Sequence, residues 1–320
     1  MAAPPTGRDD QGGGSGTRAD AEGVARGGGT LARRRTRLAW VLMAPALLCA
    51  AFVALYPLAR TFYLSFTNAR FGDPNPAKVV GARNYADLVS DVFFRDAVVL
   101  TVLFTVVTVL AELVLGLLVA LLVNTRFRGR GGVRAAMLIP WAIPTVISAQ
   151  MWKWMFNDVY GVFNDILVNR LHLFPKAIAF TAEESTSFWA AAIVDIWKTT
   201  PFMALLLLAG LQLIPSDLYE AARVDGATRW QQFVKITLPL LRPAMLVALI
   251  FRTLDALRVF DVFYVMFGNR PDTMTMATYA QQTLVSISDI GYGSAISIAI
   301  FLVIGIFVTL YIVVFRPEEA

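Results

Sequence analysis

Arg252, Asp255, Arg258 and Asp261 recur every third residue inside an apolar run long enough to cross a bilayer. Opposite charges fall about one helical turn apart, and the four sum to zero. An unpaired charge at the bilayer centre costs about 2.5–3.5 kcal/mol on the insertion scale, so these four cannot face lipid. Two arrangements satisfy them. One is a ladder of ion pairs that fixes helix packing. The other is a polar lining for a hydroxyl-rich solute, with carboxylates accepting and guanidinium groups donating hydrogen bonds. A step of three residues drifts by about 60° around a helix, so the row winds over half of it and both uses stay open. Asp195 and Lys198 make a second turn-spaced pair, and Trp197 between them offers an aromatic face. Glu112 stands in the middle of another apolar run with no partner on its own helix. It is either protonated, as a proton relay would be, or paired with a basic residue from another run.

The elements that hold these residues are membrane spans. The chain has 320 residues, 57% hydrophobic and 16% charged, with a mean hydropathy of +0.60, too apolar for a soluble domain. Six apolar runs, at about 38–58, 97–123, 133–156, 188–211, 244–267 and 293–315, each approach the twenty or so residues that cross about 30 Å of hydrocarbon. The expected architecture is an all-α membrane protein with six transmembrane helices over 33–320. Residues 1–32 are rich in Gly, Asp and Arg and poor in large apolar side chains, and are expected to be a disordered tail. The first run is longer than a signal-peptide core, and Leu48 fills the position that a lipoprotein site at Cys49 would need small, so it reads as a retained span. Pro140 and Pro144 interrupt the third run, as a hinge or as tolerated bends. Gln150 there is expected to bond between helices, and Trp141, Trp152 and Trp154 to anchor or pack.

Orientation follows the arginines. Arg33, Arg34, Arg35 and Arg37 precede the first run, and Arg126, Arg128, Arg130 and Arg134 crowd the connector after the second without one acid. Placing both segments in the cytoplasm puts both termini there in a multi-pass cytoplasmic-membrane protein. The sequence pI near 9.5 thus reads as topology and contact with membrane lipid, not nucleic-acid binding. One cysteine and one histidine leave no intrachain disulfide and no histidine metal site, so no metal is expected.

One polar stretch, 213–243, breaks the pattern. Asp217 and Glu220 are spaced to cap a two-turn helix that Gly226 would end in the left-handed conformation. Thr228 and Gln231 are spaced as a capping box for a second helix, which Pro239 is expected to close. A helix, a glycine turn and a helix make a stiff elbow. Glu220-Ala221-Ala222, Gly226, Ile236, Leu238 and Pro239 resemble the EAA loop of ATP-binding-cassette importer permeases, and Asp225, Ala227, Phe233 and Pro243 extend the likeness to the carbohydrate branch. Ser65-Phe66, Gly81 with Asn84-Tyr85, Trp154 to Asn157, Gly161, Asn164, Asp195, Trp197, Pro201-Phe202 and Ala209-Gly210-Leu211 continue it over nearly all the chain beyond the tail. At Phe267-Gly268-Asn269-Arg270-Pro271 many relatives carry a run of glycines, and this chain departs from them.

The resemblance implies a type I importer permease fold that pairs with a second, homologous permease subunit. It also implies two copies of an ABC ATPase subunit, which bind ATP and Mg, and an extracytoplasmic sugar-binding lipoprotein. Glu220, Ala221, Ala222, Arg223, Asp225 and Gly226 would couple to the ATPase, and the solute would be a di- or oligosaccharide, with trehalose the best match. Asp195, Trp197, Lys198, Arg252, Asp255, Arg258 and Asp261 are then candidates for the substrate path. Consistent with a separate ATPase, this chain has no Gly-x-x-x-x-Gly-Lys-Ser/Thr phosphate loop. Nor does it carry a His-Glu-x-x-His or Gly-x-Ser-x-Gly signature of an enzyme. The alternatives are a proton-coupled secondary carrier built on Glu112 and the fifth-run charges, and an importer of the same class for glycerol phosphate or another solute.

Overall fold

A computed structural model describes the backbone of residues 16–125 and 127–314, and side-chain environments over 34–125 and 127–313. It divides into two compact units, 1–60 and 61–320. The first contributes most of α1 (Gly16–Leu64), whose 34–64 portion is long and apolar enough to cross a membrane. Residues 16–32, expected to be disordered, are helical here. No proline lies between Pro5 and Pro45, so every backbone N–H there can join the hydrogen-bond ladder despite the glycines. Residues 1–15 of the expected tail lie outside the described residues.

The second unit opens with an irregular segment. Thr67 bridges to Val79, and Arg70 to Asp289, the only bridges among the described residues, which contain no strand. Buried Asn84 in α2 (Arg83–Ser90) donates to the carbonyls of Ser65 and Thr67 at 2.8 and 2.9 Å, and Tyr85 Oη lies 2.6 Å from Ser65 Oγ. Gly81, at φ +64°, makes the turn that delivers them. α3 (Val92–Asn124) begins at Asp91, whose carboxylate accepts from the Phe93 and Phe94 N–H groups.

The third apolar run is broken. α4 (Arg130–Met137) and α5 (Ile139–Ala142) meet α6 (Thr145–Met155) at a bend of 85°, with Pro144 as the residue before α6. α7 (Val162–Asn164) passes into a π-helical turn, Asp165–Arg170, and α8 (Glu184–Gln212) follows as the most enclosed span. α9 (Ser216–Val224) and α10 (Arg229–Gln232) form the elbow. A π-helical stretch, Phe233–Thr237, leads into α11 (Leu238–Ala256), and α12 (Asp261–Phe267) follows after a break at 257–260. A 3-10 turn at Pro271–Thr273, α13 (Met276–Gln281), a π turn and α14 (Ile290–Val314) complete the described chain. Among the described residues, five helices, or six with the bent α4–α6 as one, are long and apolar enough to span.

Two expectations for the elbow need correction. Pro239 does not close a helix. The ladder widens over Phe233–Thr237 and the helix continues through Pro239 into α11, the wider turn accommodating the bond that proline cannot donate. Nor does Asp217 cap α9. Pro215 takes that position, so Asp217 lies inside the first turn and its carboxylate caps no backbone N–H. The fifth span is present as one membrane-crossing unit over Arg229–Phe267, but its helix is interrupted at 257–260, between α11 and α12.

Small residues bring the spans together. A Cβ on Gly116 of α3 would lie 2.7 Å from Met203 Cγ of α8, and one on Gly210 of α8 would lie 2.4 Å from Ala244 Cβ of α11. In lipid such close approach, not the hydrophobic effect, drives helix association. Of the four apolar clusters among the described residues, two flank a polar layer. Phe104, Ala190, Ala191, Val194 and Phe263 build one; Ala120, Met203, Leu207, Leu241 and Ala248 build the other. Along α3, α8 and the α11–α12 segment, buried Glu112, Asp195, Lys198, Thr199 and Arg252 fall between these two clusters.

Candidate functional site

Arg252 is the hub of that polar layer. It is among the largest side chains fully enclosed in the protein, at 1% exposure. Its Nε and Nη2 donate to the two oxygens of Glu112 on α3, the latter bond at 2.9 Å. Nη2 also bonds Asp195 Oδ2 on α8, and Nη1 donates to Asp255 Oδ2 at 2.9 Å. The flat fork of a guanidinium suits this task, because it presents parallel donors to one carboxylate and still reaches others. Thr199 Oγ1 lies 2.7 Å from Glu112 Oε1 and 2.6 Å from the Asp195 carbonyl, its one proton shared between them. One cation therefore joins α11 to α3 and α8 through two carboxylates and holds a third on its own helix.

Beside the hub opens a cavity of about 410 Å³. Its walls are the two helix breaks, Trp141–Thr145 between α5 and α6 and Ala256–Val262 between α11 and α12, together with Asp195, Lys198, Thr199, Arg252 and Asp255. Irregular backbone at membrane depth is tolerated only where protein or a wet cavity satisfies it. Here Lys198 does so. Its Nζ donates to the carbonyls of Trp141 and Ile143 at 3.2 and 2.9 Å, groups left without helical partners by the bend at Pro144. Trp141 stacks on Phe202 of α8 with centroids 5.6 Å apart, and Lys153 of α6 donates to Val265 O of α12 at 2.9 Å. The two broken segments are thus tied to α8 and to each other. Lys198, Arg252 and Arg258 oppose Asp195, Asp255 and Asp261 on the wall, so its formal charge is balanced.

Six of the seven path candidates line this cavity. Trp197 does not; it meets Trp152 edge to face at 5.5 Å. Of the two arrangements open to the four charges, a ladder forms for one rung only. Arg252 pairs with Asp255, but the break after Ala256 takes Arg258 and Asp261 out of the row. Arg258 folds back on the Leu254 carbonyl at 3.0 Å, and Asp261 begins α12, where a carboxylate favours the helix dipole. Glu112 and Thr199 were missing from the sequence-derived site. The signal for Glu112 was present, since a lone acid and a lone base on different spans seek each other. Gln150 is exposed.

The elbow is built as a rigid corner. Gly226 at φ +77° ends α9, with its N–H bonded to Arg223 O at 3.1 Å and the Ala227 N–H to Ala222 O at 2.8 Å, a Schellman pair. The capping box forms as its spacing predicts: Thr228 N–H donates to Gln231 Oε1 at 2.8 Å and Gln231 N–H to Thr228 Oγ1 at 3.3 Å. Tyr219 Oη lies 2.9 Å from Thr237 Oγ1, and Gln232 Nε2 donates to Ala227 O at 2.9 Å, which locks the two arms. Glu220, Ala221, Arg223, Asp225 and Gly226 are exposed and Ala222 half-buried. Val224 and Trp230 are 88% and 71% exposed on the same corner. The Glu220–Arg223 pair, at 3.8 Å and open to solvent, adds little.

At the other end of α3, Asp91 Oδ2 accepts from Tyr279 Oη at 2.5 Å and Tyr292 Oη at 2.6 Å. Partial burial alone raises the Asp91 carboxyl. The hydrogen bonds from the two phenols and two backbone N–H groups outweigh it and hold the acid below its ordinary value. Arg270, in the segment that departs from the glycine run, donates to Thr181 O at 2.6 Å and Ser187 Oγ at 2.8 Å. Gly268, at φ +69°, makes that turn.

Residues 112–318 match the family described as binding-protein-dependent transport system inner membrane component. A trehalose/maltose transport system permease protein of Thermococcus litoralis is 44% identical over 285 residues, covering 88% of this chain and 95% of that protein. A sulfoquinovosyl glycerol transport system permease protein of Agrobacterium fabrum is 42% identical over 88% and 91% of the two chains. A trehalose transport system permease protein of Mycobacterium tuberculosis is 38% identical over 91% and 92%. Among solved structures, a chain of a bacterial ABC transporter involved in import of the acidic polysaccharide alginate superposes with a TM-score of 0.76 at 23% identity, over 90% of this chain and 98% of that one. That likeness shows the fold, that of a type I importer permease.

Proposed function

The chain belongs to the family of binding-protein-dependent transport system inner membrane components, and we propose that it forms half of the pathway by which an ATP-driven importer carries a neutral di- or oligosaccharide, trehalose foremost, across the cytoplasmic membrane. One observation carries this reading: two broken spans and the Arg252 hub enclose a polar, charge-balanced cavity of about 410 Å³ at membrane depth. Balanced charge favours an uncharged polyol over an acid, because an anion would leave the cavity with uncompensated charge. The trehalose names of two relatives support the choice.

A second permease chain completes the cavity, and an extracytoplasmic sugar-binding lipoprotein delivers the solute. ATP and Mg are bound by two ATPase subunits that receive the exposed corner of α9 and α10, with Glu220, Ala221, Ala222, Arg223, Asp225 and Gly226 at the contact. Both termini then lie in the cytoplasm. ATPase closure pushes on a corner whose arms are locked, so the push reaches α8 and α11 and alters the cavity they line. The proton-coupled alternative draws its support from Glu112, but that residue is engaged by Arg252 and Thr199.

Radiolabelled trehalose uptake in cells with and without this chain tests the reading. Uptake should need the chain, survive a protonophore while ATP is maintained, and stop when ATP is depleted. Uptake that collapses with the protonophore under maintained ATP points to the secondary carrier instead.

A further inference from the structure

Arg252 holds three carboxylates, and they are not equivalent. Glu112 is sealed, at 0% side-chain exposure and off the cavity wall; Asp195 reaches that wall but is only 9% exposed. The Asp255 side chain is 71% exposed and lines the cavity. It meets Arg252 through Oδ2 alone, and Oδ1 makes no bond among the described residues. We propose that Asp255 is the cavity's hydroxyl acceptor for the transported sugar, and that Glu112 is a positioning residue which acts on it through Arg252. The inference rests on the sugar-importer reading and deepens it.

A sealed acid on α3 has no reach into the cavity, yet it takes two of the guanidinium's bonds. With that plane fixed by α3 and α8, the remaining Nη1 donor points along a set direction. The short Asp255 side chain, one turn on from Arg252 along α11, is held there by a charge-assisted bond. A carboxylate oxygen that is already oriented accepts from a ring hydroxyl without first giving up rotamer freedom. Arg258 and Asp261 lack such a brace; the first bonds its own backbone and the second starts a helix.

The test uses the complete importer with its own binding protein in proteoliposomes, fed the parent sugar and its monodeoxy analogues. The same binding protein serves wild type and variant, so its preference cancels in their ratio. Asp255→Ala should cut parent uptake about tenfold to a hundredfold, the loss expected for a charge-assisted bond. At least one monodeoxy analogue, the one lacking the accepted hydroxyl, should be carried equally by wild type and variant. Glu112→Gln should shift the parent-to-analogue ratio in the same direction, and adding it to Asp255→Ala should change that ratio no further. If Asp255→Ala does not reach the membrane, Asp255→Asn keeps the shape and carries the same comparison. An equal fractional loss for the parent and every analogue would overturn the proposal. Failure of the wild type to carry the sugar at all would overturn the importer reading, and this inference with it.

Discussion

Arg252 on α11 and Glu112 on α3 meet through two hydrogen bonds although 140 residues separate them in the chain. The contact is sealed from solvent on both sides. In lipid this makes it a lock between two spans, since neither group has water to return to when the helices part.

Breaking one side of that lock strands the other. Arg252→Met leaves Glu112 and Asp195 buried without their cation, a loss of about 3–5 kcal/mol for a broken buried pair. We expect a lower melting temperature of the detergent-solubilised importer and less protein in the membrane. Arg252→Met combined with Glu112→Gln should recover part of the loss, because one of the two stranded charges is gone. A double variant no more stable than the single one would refute the pairing as the cause.

Lys198 serves a different need. Lys198→Met removes the donor for the Trp141 and Ile143 carbonyls, leaving two backbone acceptors at the bend unsatisfied. Each such group costs about 1–3 kcal/mol when it stays buried. The expected result is faster hydrogen exchange across residues 139–147, with the exchange of α3 unchanged. Unaltered exchange at the bend would mean that other groups satisfy those carbonyls.

The turn at Gly226 is argued from its φ of +77°. A side chain in that conformation costs about 1–2 kcal/mol, and proline cannot adopt it at all. Gly226→Pro should abolish uptake and sugar-stimulated ATP hydrolysis while the protein still inserts, as judged by membrane fractionation. Glu220→Lys should do the same by reversing charge at the contact. Normal uptake by both variants would rule out the lever role.

Asp91 gives a pH dependence with a fixed sign. Its carboxyl is held low in the folded protein, so its contribution to stability is present above the ordinary carboxylate value and is lost as pH falls through the depressed one. Tyr279→Phe removes one of the two phenol donors, which should move that loss to higher pH. Melting temperature of the importer in nanodiscs, followed from about pH 6 down to about pH 3, spans the range in which carboxyls titrate. Overlapping curves for wild type and variant would contradict the assignment.

Much of this was legible in the residues because the relevant physics is local. The Thr228–Gln231 box and the glycine turn at 226 are set by partners three to five positions away, and both form. Asp217 shows the limit of that reasoning, since a residue type suited to capping lost the position to Pro215 two residues earlier. The break at Ile143–Pro144 carried a proline as its mark. The break at Leu257–Phe260 has neither proline nor glycine, so nothing in the periodicity separated Arg258 and Asp261 from the row. The Arg252 hub depends on three spans arriving together. Composition could say only that lone buried charges must find company.

No loop intervenes between α10 and the hub. From Arg229 the backbone runs as helix, widened for one stretch at Phe233–Thr237, until it passes Arg252. At 1.5 Å per residue those 23 steps measure roughly 35 Å. On the proposed reading, the corner that would meet the ATPase and the guanidinium beside the cavity are opposite ends of one unbroken helical segment. A push at the first end would then arrive at the second as rotation or slide, and a solute wedged at the second would be felt at the first.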